Sequence, residues 1–354
     1  ITNIKAAVLG FQHLLAMYSG DVLVPLLIGA ALHFSQEQLT YLVSIDIFMC
    51  GIATFLQLKR TPLTGIGLPV VLGCAVQAVN PLIQIGKTYG LGTMYGSIIG
   101  AGIFIFLIAG LFSKIKNLFP PVVTGSLITI IGFTLIPVAF QNLGGGDTSA
   151  KDFGNLQALG IGFLTIAIIL LISVFARGFM KSVSILIGIL VGTLIAGAMG
   201  MVSLKPVAEA SWFHLPTLFY FGTPHFEWSS ILTMILVSLT TMVESTGVFF
   251  ALGDITGRKI EGDDLKRGYR AEGIAVILGG LFSTFPYSTF SENVGVVQLS
   301  GVKTRKPIYF SAAFLVVLGL LPKIGALATI IPDPVLGGAM VVMFGIVGIQ
   351  GIRM

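Results

Sequence analysis

The sequence predicts an all-α polytopic membrane protein with very small loops, built as two inverted repeats. Three observations predict it: the composition, the lengths of the apolar runs, and a motif that recurs at long range. Of 354 residues, 55% are hydrophobic and only 10% are charged, where a soluble globular chain carries about 25% charged residues. The mean hydropathy is +0.97. A chain this apolar could not cover a water-facing surface. The composition therefore excludes a soluble enzyme, a disordered chain and a secreted disulfide scaffold. The two cysteines, Cys50 and Cys74, lie in apolar stretches and imply no disulfide framework. The four histidines are scattered without metal-ligand spacing. The net charge of +5 comes from short basic pairs rather than a patch, which speaks against nucleic acid as a partner.

A membrane helix needs about 20 mostly apolar residues. Reading along the chain gives ten ordinary spans and two short ones. The first four are Lys5 to Leu32, Leu39 to Leu58, the short Ile66 to Val79, and Leu91 to Phe112. Pro121 to Phe140, Leu156 to Ala176 and Ser182 to Val202 follow. A polar stretch with Trp212, His214, Pro216, Pro224 and Trp228 then reads as an interfacial excursion. The last five are Ser230 to Leu252, Gly268 to Phe282, the short Phe290 to Val302, Pro307 to Ile331, and Pro334 to Ile349. Loop charge supports the count. With the N-terminus inside, Lys59, Arg60, Lys114, Lys116, Arg177, Lys181, Arg258, Lys259, Lys266, Arg267, Arg270, Lys303, Arg305 and Lys306 fall in inside loops. Only Lys87, Lys151, Lys205 and Lys323 fall outside. Lys5 and Arg353 lie at inside ends, so the basic residues divide sixteen to four. The loop Asp254 to Arg270 is mixed in charge and reads as solvated. The opening residues read as a first span rather than as a cleaved leader.

"KNLFPPVVTGSLIT" (Lys116 to Thr129) and "TIIPDPVLGGAMVVM" (Thr329 to Met343) both end one span, turn on two prolines and begin the next. The offset, Pro121 to Pro334, is 213 residues. "GIGLPVVLG" (Gly65 to Gly73) precedes the first copy and "TFPYSTFSENVG" (Thr284 to Gly295) the second. Seven spans separate the copies, and an odd number inverts the second. Inverted repeats with an interrupted segment at matching positions point to the binding site of a secondary transporter. On this period the second copy would run to about residue 415. Two further segments are therefore expected beyond Met354, and the start at Ile1 reads as trimmed.

Ionisable groups inside a bilayer cost at least about 2.5 kcal/mol and mark function by default. Glu244, in "LTTMVESTGVFF", lies about eight residues, or roughly 12 Å, from the end of its span. It is expected to face a polar cavity and bind substrate or a proton. Glu292 and Asn293 lie in "STFSENVGVVQLSG", a segment too short to span as a helix, where Gly295 permits close backbone approach. Such a segment leaves backbone N–H groups free to bind a ligand where it lines a cavity. Glu292, as a planar two-oxygen acceptor, suits a heterocycle with adjacent N–H groups. Glu272 reads equally as a functional group or as an interfacial acid, solvated or paired with Arg270. Gln12 and His13 read first as packing and hydrogen-bonding groups, with a proton role second. Asp21 and Asp46 are apolar-flanked acids without a placement. "GIGLPVVLG" lacks a βαβ context for a nucleotide loop, no Walker sequence is present, and no nucleophile, base and metal set forms an enzyme site.

"ENVGVVQLSG" (Glu292 to Gly301) resembles the signature of the nucleobase–ascorbate transporter family, nucleobase:cation symporter-2. That signature reads Gln/Glu/Pro, Asn, any residue, Gly, four of any, Ser/Thr, then Arg/Lys/Gly. It is met here by Glu292, Asn293, Gly295, Ser300 and Gly301. The Gln12–His13 pair and Glu244 match as well, and the resemblance covers essentially the whole chain. It implies fourteen segments in two inverted repeats of seven, twelve of them present here, with short β-strands in segments three and ten. It implies a core domain of residues 1–116 and 229–331 moving against a gate domain of residues 117–228 and 332–354. Glu244 and Glu292 would bind a base, helped by backbone near Val76 and Gly295, with Gln77, Glu272, Asn293 and His13 as further functional positions. "QLSG" and "QHLLAMYSGDVLVPLLIG" look like bacterial xanthine permeases. Uracil permeases carry a His four residues after the Glu of the eighth span, where this chain has Val248. The resemblance thus implies a purine:H⁺ symporter for xanthine, with urate close behind, in the bacterial inner membrane. It implies no cofactor; Na⁺ as coupling ion and a homodimer are left open. The alternatives are a uracil permease, or an anion exchanger or channel of the same fold.

Overall fold

The computed structural model describes residues 1–115 and 120–353, so Lys116 and the start of the first Pro-Pro motif lie outside the described residues. α1 (Asn3–Ala31) is capped by Thr2, whose Oγ1 accepts from Lys5 N, and α2 (Gln36–Leu58) by a Ser35/Gln38 capping box. Strand β1 (Leu72–Cys74), a 3₁₀ turn (Val76–Ala78) and α3 (Val79–Tyr89) follow. Next come α4 (Leu91–Ile115), α5 (Pro121–Leu143), α6 (Leu156–Phe175), α7 (Phe179–Ser182), α8 (Ser184–Ala198) and α9 (Lys205–Glu209). The remainder is α10 (Trp228–Thr256), α11 (Gly262–Leu281), strand β2 (Tyr287–Thr289), α12 (Glu292–Ser300), α13 (Lys306–Gly319), α14 (Pro322–Thr329) and α15 (Asp333–Arg353).

The helices pack in two groups. In the larger, α2 packs on α13 and α14, α4 on α10 and α11, and α1 on α13 and α2, with the two strands at the centre. In the smaller, α15 packs on α5, α6 and α8. Position follows composition. The most apolar window of α1 is 72% buried and that of α6 only 28%, so α1 is central while α6 turns Leu170, Leu171, Val174 and Phe175 outward. Small residues bring key pairs close. A Cβ on Gly102 of α4 would lie 2.7 Å from Ile277 N of α11, and one on Gly132 of α5 would lie 2.5 Å from Gly348 N of α15.

Several segments differ from expectation for physical reasons. Among the described residues, seven helices are long and apolar enough to cross a membrane, or eight if α13 and α14 form one span; ten were expected. The eleventh expected span breaks by 84° between Gly319 and Pro322, because proline cannot continue the ladder of the preceding turn. α8 has only 15 residues. α11 starts at Gly262, and its first half carries Asp263, Asp264, Lys266, Arg267 and Arg270, too charged for a hydropathy reading. The loop read as solvated is thus mostly two helix ends. There the 8% exposed Asp264 side chain meets Arg60, Arg258 and Arg267 at 3.1, 2.7 and 2.6 Å. The third segment continues past Val79 into α3, whose polar face hid it. Strand β2 precedes Phe290, where the tenth segment was expected to begin. Its residues Tyr-Ser-Thr are polar but strand-favouring.

Candidate functional site

β1 and β2 pair antiparallel, Leu72 opposite Thr289, Gly73 opposite Ser288 and Cys74 opposite Tyr287. Ala75 N donates to Pro286 O and Phe290 N to Val71 O, both at 2.9 Å. Each strand is followed at once by a helical turn, so two broken segments meet at one point. Only glycine fits at Gly73, where a Cβ would lie 2.2 Å from the Phe290 ring and 2.8 Å from Asp21 Oδ1. The turns after the strands begin with N–H groups that have no intrahelical acceptor, and they carry the positive end of the helix dipole.

A cavity of about 410 Å³ opens there, within the size range of small-molecule sites. One wall is the first turns after the strands (Val76, Gln77, Ser291, Glu292) together with Glu244, Gly247 and Val248 of α10. The opposite wall is apolar, with Ile128 and Ile131 of α5 and Met343 and Val347 of α15. Gln350 and Arg353 stand at its edge. Gln77 Nε2 donates to Glu244 Oε2, which orients that carboxylate and leaves Oε1 for a ligand. Two carboxyl groups from different helices thus face one mostly apolar space. The arrangement can accept N–H groups of a flat polar heterocycle and sandwich its faces between apolar side chains. A larger cavity of about 490 Å³ lies between α2, residues 206–220 and the break before α14, with Tyr41, His214 and Tyr220 in its wall. It touches neither strand nor any acid of the broken segments, so the smaller cavity is the candidate site.

Behind this wall stands a second layer. Asn293 is 1% exposed and donates through Nδ2 to His13 O at 2.9 Å, with His13 Nδ1 at 3.2 Å. It faces α1 rather than the cavity, because adjacent helical residues project about 100° apart. Gly295 and Gln12 also lie off the cavity wall. Glu272 is 1% exposed and accepts from Ser245 Oγ, which in turn is bonded by Thr289 Oγ1 of β2 at 3.1 Å. Glu272 is therefore no interfacial acid. Arg270 lies instead over the Phe106 ring. Asp21 and Asp46 have no placement in the sequence pattern alone. They meet in the core beside Cys50 and Cys74, directly behind β1. The available signal was that all four are lone polar or thiol groups in apolar runs.

Broken segments crossing at mid-fold, with a ligand-sized cavity between two helix groups, define a membrane transporter and not an enzyme. The sequence model of the Permease family matches residues 4–354, and the chain belongs to this family, the nucleobase–ascorbate transporters. It is 55% identical over 351 residues to the uric acid permease PucK of Bacillus subtilis (strain 168), covering 99% of this chain and 81% of that one. It is also 55% identical over 350 residues to the xanthine permease of the same organism, covering 99% and 80%. The transmembrane domain of the cyanobacterial bicarbonate transporter BicA superposes with a TM-score of 0.68 at 16% identity, covering 98% of this chain and 88% of that one. The fold is accordingly the 7+7 inverted-repeat transporter fold with two short strands, in a multi-pass membrane protein.

Proposed function

We propose that this chain imports a purine base, xanthine or urate, by proton symport with alternating access across the bacterial plasma membrane, its N-terminus in the cytoplasm. The observation that carries this reading is the convergence of Glu244 and Glu292 on one cavity at the crossing of the strands. Glu244, held by Gln77, accepts one ring N–H. Glu292 accepts another, and the backbone near Val76 meets the exocyclic oxygens. Asn293 and His13 brace α12 against α1, while Ser245 and Glu272 brace β2. These acids form no ion pair among the described residues, so the carboxylates of Glu244 and Glu292 are free to meet the N–H groups of a base. Residues 1–116 and 229–331 act as the core that carries the base, and residues 117–228 and 332–354 as the gate.

Val248 stands on the cavity wall where uracil permeases carry a His, which favours a purine. The names of the two Bacillus relatives, a uric acid and a xanthine permease, agree with that choice. Anion exchange on this fold is disfavoured by two carboxyl groups in the cavity. The test is uptake of radiolabelled xanthine by cells expressing the protein, with urate, uracil and hypoxanthine as competitors and with the pH gradient collapsed by an uncoupler. Saturable uptake blocked by urate, untouched by uracil and abolished by the uncoupler is expected. Uptake that follows a Na⁺ gradient would overturn the coupling, and no uptake of any base by protein in the membrane would overturn the substrate.

A further inference from the structure

Two acids sit one layer behind the cavity, outside the proposed binding scheme. Asp21 of α1 is 2% exposed and Asp46 of α2 is 0% exposed. Asp21 Oδ1 accepts from Cys74 N at 2.7 Å, and both its oxygens lie 3.3 Å from Cys50 Sγ. Asp46 Oδ1 accepts from Cys74 Sγ and Tyr287 OH, each at 2.8 Å, and from Thr284 Oγ1 at 3.4 Å. Asp46 Oδ2 is buried without a hydrogen-bond partner. Oxygens of the two carboxyls and Cys50 Sγ lie within 4.8 Å of one another. The titratable groups facing the pair are Tyr18 on α1, Cys50 on α2, Cys74 on β1 and Tyr287 on β2. All are neutral in their ordinary state, and neither acid joins an ion pair among the described residues.

Two bare carboxylates this close in a dry core repel each other, and one proton between them removes the repulsion. A proton on Asp46 Oδ2, the one polar atom of the cluster left without a partner, would make it a donor to the neighbouring Asp21 carboxylate. The cluster is tied to the substrate cavity through Cys74. That residue lines the cavity, donates its N–H to one acid and its S–H to the other, and sits opposite Tyr287, which donates to the same acid. Both strands are therefore held to the pair at one register position.

We propose that Asp21 and Asp46 together hold one exchangeable proton, taken up and released in each transport cycle, and that Cys74 and Tyr287 pass its presence to the strands beside the substrate. With the proton, the pair carries one negative charge and grips both strands. When the proton leaves, the second charge forces the carboxyls apart and moves the strands with them. This inference rests on the symport reading above.

Purified protein in vesicles with an internal pH dye tests it. Wild type should admit protons when xanthine is added outside, in sodium-free buffer. Asp46→Asn and Asp21→Asn should keep xanthine exchange within about threefold of wild type yet lose the proton influx, and accumulation driven by a pH gradient should fall to the level of vesicles without one. Full proton influx in either variant overturns the proposal while leaving the symport reading intact. A wild type that moves xanthine without protons overturns the symport reading itself. If the asparagine variants do not fold, Cys50→Ala, which keeps both acids, serves instead. A protonated carboxyl C=O band in the infrared spectrum of wild type should shift in that variant, and an unshifted spectrum overturns the proposal.

Discussion

Replacing Glu244 by Gln isolates the charge at the proposed site from its shape. Gln77 Nε2 donates to one Glu244 oxygen, so in Glu244→Gln the new amide keeps its oxygen toward Gln77 and turns its NH₂ toward the base. A charge-assisted hydrogen bond worth about 1.5–3 kcal/mol is lost, and a donor then faces a donor. With about 1 kcal/mol for that mismatch, the sum near 3 kcal/mol corresponds to roughly a hundredfold weaker binding. The assay is equilibrium binding of radiolabelled xanthine to purified protein, with the melting temperature measured on the same samples. Gln77→Ala is the graded control. It removes only the orientation of Glu244 and should weaken binding about fivefold, or roughly 1 kcal/mol. Glu244→Gln should not lower the melting temperature, since it replaces a buried ionisable group by a neutral one of the same size. Binding within threefold of wild type in a folded Glu244→Gln protein would refute the assignment of this carboxylate to the substrate.

Asn293→Ala removes both bonds to His13 and should cost about 2 kcal/mol of stability, read as a lower melting temperature; an unchanged value would mean that this brace between α12 and α1 contributes nothing. Gly132→Ala places a Cβ 2.5 Å from Gly348 N and should destabilise by about 1–3 kcal/mol. Gly160→Ala on α6, where a Cβ meets nothing within 4 Å, should stabilise by about 0.5–1 kcal/mol. Equal effects at the two glycines would contradict the packing of α5 on α15. At the water-facing start of α11, burial alone would raise the pKa of Asp264, but the Glu261 N–H and Arg258, Arg267 and Arg60 hold it below the usual carboxylate value. Its contribution is then complete above the unfolded pKa of about 4 and lost as pH falls through the lower folded value. Melting temperature measured from pH 6 downward should therefore fall more steeply in wild type than in Asp264→Asn, and parallel curves would contradict a stabilising role for the Asp264–arginine cluster.

Most of the fold was legible because apolar runs of helical length have few other uses. α1, α2, α4, α5, α6 and α10 begin and end close to the residues that hydropathy marks. The misses share a cause. α3 and the first half of α11 are helical but polar, so a reading by hydropathy does not see them. The three-residue strands are too short for a period, and the bend before Pro322 interrupts a run that stays apolar throughout. At the site, Glu244, Glu292, Gln77 and Val76 line one cavity. Asn293 does not, because helical periodicity turns it toward α1, and Gly295, one turn further along α12, lies off the cavity wall. The neighbourhood of Asp21 and Asp46 depends on α1, α2 and both strands meeting in space, which no local pattern in one sequence encodes.

The central claim is that the cavity at the crossing of the strands holds the purine, although the cavity beside Tyr41 is larger. A structure of the protein determined in the presence of xanthine tests it most directly. The account predicts a flat ligand within hydrogen-bonding distance of both Glu244 and Glu292, with Ile131 and Met343 against its faces. Ligand found instead between Tyr41, His214 and Tyr220, with the strand cavity empty, would contradict it.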